Sequence, residues 1–551
     1  MTEHILLNTG AFIHTAIKED LAGHTSDLRT RFPPEPGGFL HIGNAKAVYI
    51  NFELAKIYGG TCKLRMDDTN PVKEEAAYVN AIQDEIRWLG YEWDGEVRLA
   101  SNYFDKFYEC AVSLIKQGVA FVCDLSAEEV RATFGSVDKA GTESPFRGRT
   151  VEENLDLFAR MKAGEFKDGE KTLRAKIDMA SSNLNMRDPI IYRIAHKTHS
   201  NTGDAWCIYP MYDFAHPLED AIEGITHSLC NVEFEDHRPI YEWYVNNLDC
   251  FPVKPRQIEF ASLAVTNTVM GKRHIRKLVA EGKIDGWDDP RLVTISGMRR
   301  RGYPAAAIRE FLGQTGVAKA QSTVDFAMLE HFVREHLKNE ARLVMAVLDP
   351  VKVIIENFPE GETEMLDIPY NIDDPAAGSR KVPFTREIFI ERSDFMEEPE
   401  KKFFRLAPDK EVRLKGAYLI LCTGVEKDGS GNITAIRCTY DPNTKSGMGE
   451  TRKVKGILHW VSAEYACPVT ARLYETLVLD DPNAEGGVAF NPNSLTIMDG
   501  ALAEPSLAGA KENERFQFMR QGYFCLDAKA TEAGGKMAFN RTVGLKSSYK
   551  G

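Results

Sequence analysis

Arg31-Phe32-Pro33-Pro34-Glu35-Pro36-Gly37-Gly38-Phe39-Leu40-His41-Ile42-Gly43-Asn44 is the stretch on which the reading of this chain turns. Its prolines stiffen a turn that delivers the chain into a helix N-terminus, where unpaired backbone N–H groups and the helix dipole favour phosphate. Gly43 lets a base or ribose approach the backbone. Downstream, Ala45, Val48, Phe52 and Ala55 keep a helical spacing that stops at Gly59-Gly60. Cys62, Leu64 and Met66 then alternate as a strand does, ending at Asp67-Asp68. Asn70 as cap and Pro71 at the first helical position open the next helix, with Ala76, Val79, Ile82, Ile86 and Leu89 as its buried stripe. Helix, strand, helix predicts a doubly wound parallel sheet, which binds ligands at the carboxyl ends of its strands, where Asp67 lies.

A length of 551 residues predicts three to five domains. With 43% hydrophobic and 27% charged residues and no apolar run of membrane-spanning length, the chain reads as soluble, and Met1-Thr2-Glu3-His4 lacks the start of a secretory signal. Ten scattered cysteines without a C-x-x-C pair predict reduced cytosolic thiols and no structural zinc. The net charge of −13 excludes a diffusely basic nucleic-acid coat but not a local one. Two basic runs, Arg299-Arg300-Arg301 and Lys272 to Lys277, read first as solvated helix faces and second as RNA contacts. A mixed segment from about 100 to 210, containing Ser144-Pro145-Phe146-Arg147-Gly148-Arg149, predicts an insertion splitting one nucleotide-binding fold. Strand-like residues return at Trp206 to Pro210 and Arg256 to Phe260, and residues 270–338 read as helical. Beyond Ala346 to Pro350 come short β-rich runs, among them Glu387 to Ile390, Val412 to Leu414 and Tyr418 to Leu421. The last turns at Gly429-Ser430-Gly431-Asn432 as a hairpin would, and two β-barrels fit this half better than a helical bundle.

A second motif, Val269-Met270-Gly271-Lys272-Arg273, follows about 230 residues after the first. Together they resemble the two ATP-handling motifs of class I aminoacyl-tRNA synthetases, and the chain resembles the glutaminyl branch of that family over essentially its whole length. Further blocks carry the resemblance: Asp67 to Pro71, Leu173 to Ala180, Cys207 to Phe214, Glu223 to Cys230, Trp287 to Arg291, Arg299 to Tyr303, Gly522 to Asp527 and Asn540 to Leu545. It implies an α/β plus all-β architecture. Residues 1–100 and 211–262 would be halves of a split Rossmann-type catalytic domain, and 101–210 an inserted acceptor-stem-binding domain. Residues 263–338 would form a helical domain with the second ATP motif, and 339–551 two anticodon-binding β-barrels. It also implies a cytoplasmic, monomeric ligase with no bound cofactor or metal. Its substrates would be MgATP, L-glutamine and tRNA(Gln), joined through a glutaminyl adenylate to the terminal ribose 2′-hydroxyl.

By the same resemblance, ATP would meet Glu35, Pro36, Gly37, His41, Ile42, Gly43, Asn44, Ala45, Lys46, Ala47, Asn231, Ser262, Leu263, Met270, Gly271 and Lys272. His41, Asn44 and Lys272 would act on the triphosphate, in a reaction driven by alignment and by positive charge at the developing phosphorane. Glutamine would meet Asp67 at its ammonium, Tyr212 and Gln257 near its carboxamide, and Arg31, His216, Cys230 and Phe234 around them. Glutamate-specific relatives place an arginine where Cys230 stands, and a neutral thiol leaves a glutamate carboxylate uncompensated. Asp236 would read the acceptor stem, and Arg405, Gln517 and Arg520 the anticodon. The arginine expected at 343 is replaced by Leu343 behind Arg342, either a register slip or an altered anticodon contact.

Four positions depart from the family pattern. Asn44 stands for a histidine, Gly271 for a serine, Ser262 for an arginine and, more mildly, Asn231 for a threonine. One lost transition-state contact costs about 10²–10³ in rate, though grouped losses do not multiply. Asn44 keeps a donor, and His274 and Arg276 are candidates to compensate. The leading reading is an active ligase, and the alternative is a catalytically weak or inactive paralogue binding tRNA or glutamine for regulation. A glutamate-charging enzyme is disfavoured by Cys230.

Overall fold

The computed structural model describes residues 12–22, 27–71, 76–251, 253–371, 374–448, 452–484 and 487–549. The reading of Met1 to His4 lies outside them, as does the stretch 72–75 that would join the Asn70-Pro71 helix opening to its helix. The chain divides into two compact units, Met1–Val265 with Arg309–Val324, and Thr266–Ile308 with Asp325–Gly551.

The first unit opens with α1 (Phe12–Ala22), β1 (Arg29–Phe32), α2 (Ile42–Ile57), β2 (Thr61–Met66), α3 (Ala76–Trp88) and β3 (Arg98–Leu99). Strands β1, β2 and β3 pair in parallel in that order, with Cys62, Leu64 and Met66 buried as their alternation predicts. Ile82, Ile86 and Leu89 are buried as expected of the α3 stripe. The parallel α/β pattern resumes after the insertion with α7 (Tyr212–Ile222), β8 (His227–Asn231), α8 (Arg238–Asn247), β9 (Arg256–Phe260) and β10 (Leu263–Val265). β8 pairs in parallel with β9 and is tied to the start of β1, where the Thr226 N–H donates to the Arg29 carbonyl at 3.0 Å. The strand order and direction therefore bring the carboxyl ends of β1, β2, β8 and β9 to one side, as a doubly wound sheet requires.

The insertion holds α4 (Phe104–Lys116), β4 (Ala120–Cys123), α5 (Ala127–Thr133), α6 (Val151–Lys162), β5 (Thr172–Ala175), β6 (Ile190–Ile194) and β7 (Ile208–Pro210). Its strands pair antiparallel in the order β4-β5-β6-β7. Its core is not its own: Phe107, Phe158 and Tyr192 share one cluster with Phe214 of α7 and Tyr244 of α8. The segment read as helical throughout also contains a strand, β11 (Ser322–Val324), which follows α11 (Ala305–Thr315) and pairs in parallel with β10.

In the second unit, α9 (Lys272–Ala280), α10 (Ile295–Arg301) and α12 (Phe326–Glu340) precede two barrel-like sheets. Among the described residues each sheet has seven strands. One runs from Pro350–Ile355 to Val461–Ser462 and contains the expected hairpin, Leu419–Lys427 against Ile433–Asp441. The other joins Arg342–Val344 and Ala346–Val347 to strands between Cys467–Tyr474 and Ala538–Val543.

Two of the three arginines in the Arg299 to Arg301 run are not on a solvated face. Arg300 ion-pairs with Asp527 at 3.0 Å and Asp288 at 3.6 Å, and the buried Arg301 donates to the Thr542 carbonyl at 3.1 Å. Gly302 ends α10 at φ +96°, where a Cβ would sit 2.4 Å from that of Cys525, so only glycine permits this approach.

Candidate active site

The loop leaving β1 enters α2 through His41, the N-cap residue. Its Nδ1 accepts from the Gly43 N–H at 3.1 Å, while Asn44 Oδ1 accepts from the His41 N–H at 3.1 Å, closing a capping box. Because Nδ1 is the acceptor, the proton of the neutral ring lies on Nε2, which is a donor. A Cβ at Gly43 would meet His41 Cε1 at 2.9 Å and the Leu263 carbonyl at 3.5 Å, so a larger residue would displace the imidazole. The Asn44 amide oxygen serves the cap, which leaves its Nδ2 hydrogens as donors. Glu35, Pro36 and Gly37 form the turn before this helix, and Leu40 N–H donates to Glu85 Oε2 on α3 at 3.0 Å, pinning the loop. Ile42, Ala45, Lys46 and Ala47 fill the first turns of α2. Lys46 is only 5% exposed, and burial lowers its pKa to about 8. Asn231 ends β8 and Ser262 lies in the turn after β9, both at strand carboxyl ends, while Leu263 opens β10. The Ser262 hydroxyl accepts from Gln321 Nε2 at 3.2 Å, a tether to the segment before β11.

Met270, Gly271 and Lys272 belong to the second unit. Gly271 is the N-cap of α9, at φ −67° and ψ 120°, with no side-chain cap bond and nothing within 4 Å of where its Cβ would be. α9 is held by Ile275 and Leu278, buried with Val269, Leu292 and Leu477.

Five of the seven residues assigned to glutamine form a connected set. Arg31 on β1 donates through Nη2 to His216 Nε2 at 2.7 Å, and His216 stacks on Tyr212 with ring centroids 4.9 Å apart. Tyr212 packs on Phe234 at 5.3 Å, and the Phe234 carbonyl accepts from Gln257 Nε2 at 3.0 Å. A guanidinium only donates, so His216 Nε2 is unprotonated and the ring is neutral, in line with burial holding its pKa well below the imidazole range. Burial likewise pushes the Cys230 thiol up to about 12, so it is uncharged at neutral pH. The Asp67 carboxyl, at the end of β2, is raised by burial although Thr69 donates to it through its hydroxyl at 2.8 Å.

Beneath this set lies an ion network that the sequence did not disclose. Arg31, fully buried, reaches Asp220 through Nε at 3.0 Å, and Asp220 also accepts from Arg65 at 2.7 Å and the Tyr241 hydroxyl at 2.9 Å. Burial alone would raise the Asp220 pKa, but the Arg31 and Arg65 guanidinium groups outweigh it and hold the group well below the carboxylate range. Arg65 also pairs with Glu219 at 2.8 Å and Glu223 at 3.1 Å. The available signal was a charge at each inward place: Arg65 in a buried strand, and Glu219-Asp220 on α7 behind Leu218. Removing one partner of such a buried pair costs about 3–5 kcal/mol.

Among the residues assigned to RNA, Asp236 is exposed, and its backbone carbonyl rather than its carboxylate accepts from Asn183 and Asn185. Gln517 pairs in register with Leu343, while Arg342 ion-pairs with Glu514 beside the Phe516 ring. Arg405 and Arg520 both contact Asp394, a buried residue that sequence reading passed over. Among the described residues no group of three or more His, Cys, Asp or Glu is gathered as a metal cage.

Three family models match the chain. The class I tRNA synthetase (E and Q) catalytic domain covers residues 27–339, and two anticodon-binding domains of the same class cover 341–441 and 457–527. The chain is 57% identical to a glutamine–tRNA ligase of Clostridium perfringens across 98% of each protein. It is 56% identical to one of Clostridioides difficile, over 98% of this chain and 99% of that protein. A third, from Bradyrhizobium diazoefficiens, is 52% identical over 100% of this chain and 99% of its own length.

Proposed function

The chain belongs to the class I tRNA synthetases for glutamate and glutamine, and on that premise we propose that it activates L-glutamine with ATP and transfers it to tRNA(Gln). The observation that carries glutamine over glutamate is the charge balance of the pocket. Arg31 is already answered by Asp220, His216 is neutral and Cys230 is an uncharged thiol. A glutamate carboxylate entering there would lose its water without gaining a cation, at a cost of several kcal/mol. The glutamine carboxamide needs only hydrogen bonds, a role the resemblance gives to Tyr212 and Gln257.

The substrate ammonium goes to Asp67, whose raised carboxyl gains a cation there. ATP brings its own Mg²⁺ and lies over the N-terminus of α2, with His41 Nε2–H and Asn44 Nδ2 as donors and Lys46 as a nearby cation. Lys272 is assigned the α-phosphate by the second motif, and the terminal ribose 2′-hydroxyl receives the acyl group. In this proposal the insertion of 101–210 holds the acceptor stem with Asp236, and the two barrel-like sheets hold the anticodon. We place the ligase in the cytoplasm as a monomer; among the described residues no helix is long and apolar enough to cross a membrane.

The test is aminoacylation of total tRNA with labelled glutamine, glutamate in parallel, and a burst assay for adenylate. Charging with glutamine alone is expected. Tight tRNA binding without charging by either amino acid would overturn the proposal.

A further inference from the structure

Asp394 ends a short turn of 3₁₀ helix, Arg392–Asp394, in the first of the two anticodon-binding modules, and it is 0% exposed. Two half-exposed arginines converge on it. Arg520, from the second module, grips both carboxylate oxygens end-on, Nη1 to Oδ2 at 2.6 Å and Nη2 to Oδ1 at 2.7 Å. Arg405, from the first module, approaches Oδ1 through Nε at 3.3 Å and donates from Nη1 to the Ser393 carbonyl at 2.9 Å. Arg520 holds φ at +66°, a left-handed conformation that costs a non-glycine residue about 1 kcal/mol. The neighbouring side chain is fixed as well, since Gln521 Nε2 donates to the buried Glu391 at 2.8 Å.

We propose that Asp394 is the positioning residue for anticodon reading, one buried carboxylate that sets the guanidinium planes of both modules at once. Only part of each guanidinium is used. Arg520 keeps its Nε–H and one hydrogen on each terminal nitrogen, and Arg405 keeps Nη2, so both present flat, fixed donors to unstacked bases. An arginine swinging free would lose side-chain entropy on each encounter with RNA; a clamped one has lost it already. The inference rests on the proposed tRNA ligase function.

The experiment is steady-state charging of tRNA(Gln) transcripts, native and with each anticodon base replaced in turn, by wild type and Asp394→Asn. The variant is expected to raise KM for native tRNA about tenfold or more, with kcat at saturating tRNA and KM for ATP and glutamine within twofold. The penalty for an anticodon replacement should shrink by a similar factor for at least one base. Equal losses on native and altered transcripts would make Asp394 merely structural and overturn the proposal. Should Asp394→Asn not fold, Arg405→Ala, Arg520→Ala and their double variant carry the test. A shared clamp predicts a combined loss smaller than the product of the single losses, and a full product refutes it. Absence of any glutamine charging by wild type would instead refute the function itself.

Discussion

Gly271→Ser should speed adenylate formation, and the structure sets the size of the gain. The N-cap of α9 already has the extended backbone a capping serine adopts, and a Cβ there meets no atom within 4 Å. The hydroxyl would accept from a first-turn N–H, a change from glycine of a few tenths of a kcal/mol. Replacing glycine also removes unfolded-chain freedom, about 0.4–1 kcal/mol at a compatible φ. Together about 0.5–1.5 kcal/mol would favour the ordered start of α9, a two- to tenfold shift in population. If Lys272 acts only from that ordered state, ATP–pyrophosphate exchange should rise two- to tenfold in kcat, with KM for glutamine unchanged. Gly271→Ala separates the two contributions: alanine restricts the chain by the same amount but is a poorer N-cap than glycine, and the two effects offset to leave it near wild type. Serine and alanine variants of equal rate would refute the capping argument. A slower serine variant would show that glycine's freedom is itself required.

Asn44→His should raise the exchange rate about ten- to a hundredfold by restoring a ring donor, while lowering Tm slightly because the amide closing the capping box is lost. Asp67→Asn should raise KM for glutamine about tenfold to a hundredfold, measured by charging kinetics. The same change should stabilise the protein at pH 7: a raised folded pKa means ionisation is penalised above it, so the gain must vanish as pH falls below about 4. For Lys46 the sign is reversed. Its pKa of about 8 lies below the unfolded value, so the burial cost is full below pH 8 and fades as pH rises toward about 10.5. Lys46→Met should therefore raise Tm at pH 7 more than at pH 10, and an equal rise at both would refute the assignment.

The loop from Arg31 to Asn44 and the β2 alternation were legible because prolines, caps and period-two burial are local signals. Strand β11 was not, since its three residues become a strand only by pairing with β10, some sixty positions earlier in the chain. Arg65 and Asp220 escaped for the same reason: they are 155 positions apart, and neither spacing nor composition shows that each buries the other's charge. Arg300 and Arg301 misled in the opposite sense, being surface-like in sequence and buried by distant carbonyls and carboxylates. At Asn44 the sequence showed a missing histidine, whereas the structure shows what the asparagine does in its place.

Both compact units are assembled from separated stretches of chain, and this has a consequence for synthesis on the ribosome. The first unit lacks β11 until residue 324 has emerged, by which time residues 266–308 are already outside the tunnel. Val269, Ile275, Leu278 and Leu292 must then wait for Leu477 and Val478, roughly 200 residues further on, a delay of about 10–40 s at ordinary elongation rates. During that interval α9 carries an uncovered apolar stripe on a nascent chain, so this helix is where a holdase chaperone would engage and where a translational pause would do most harm.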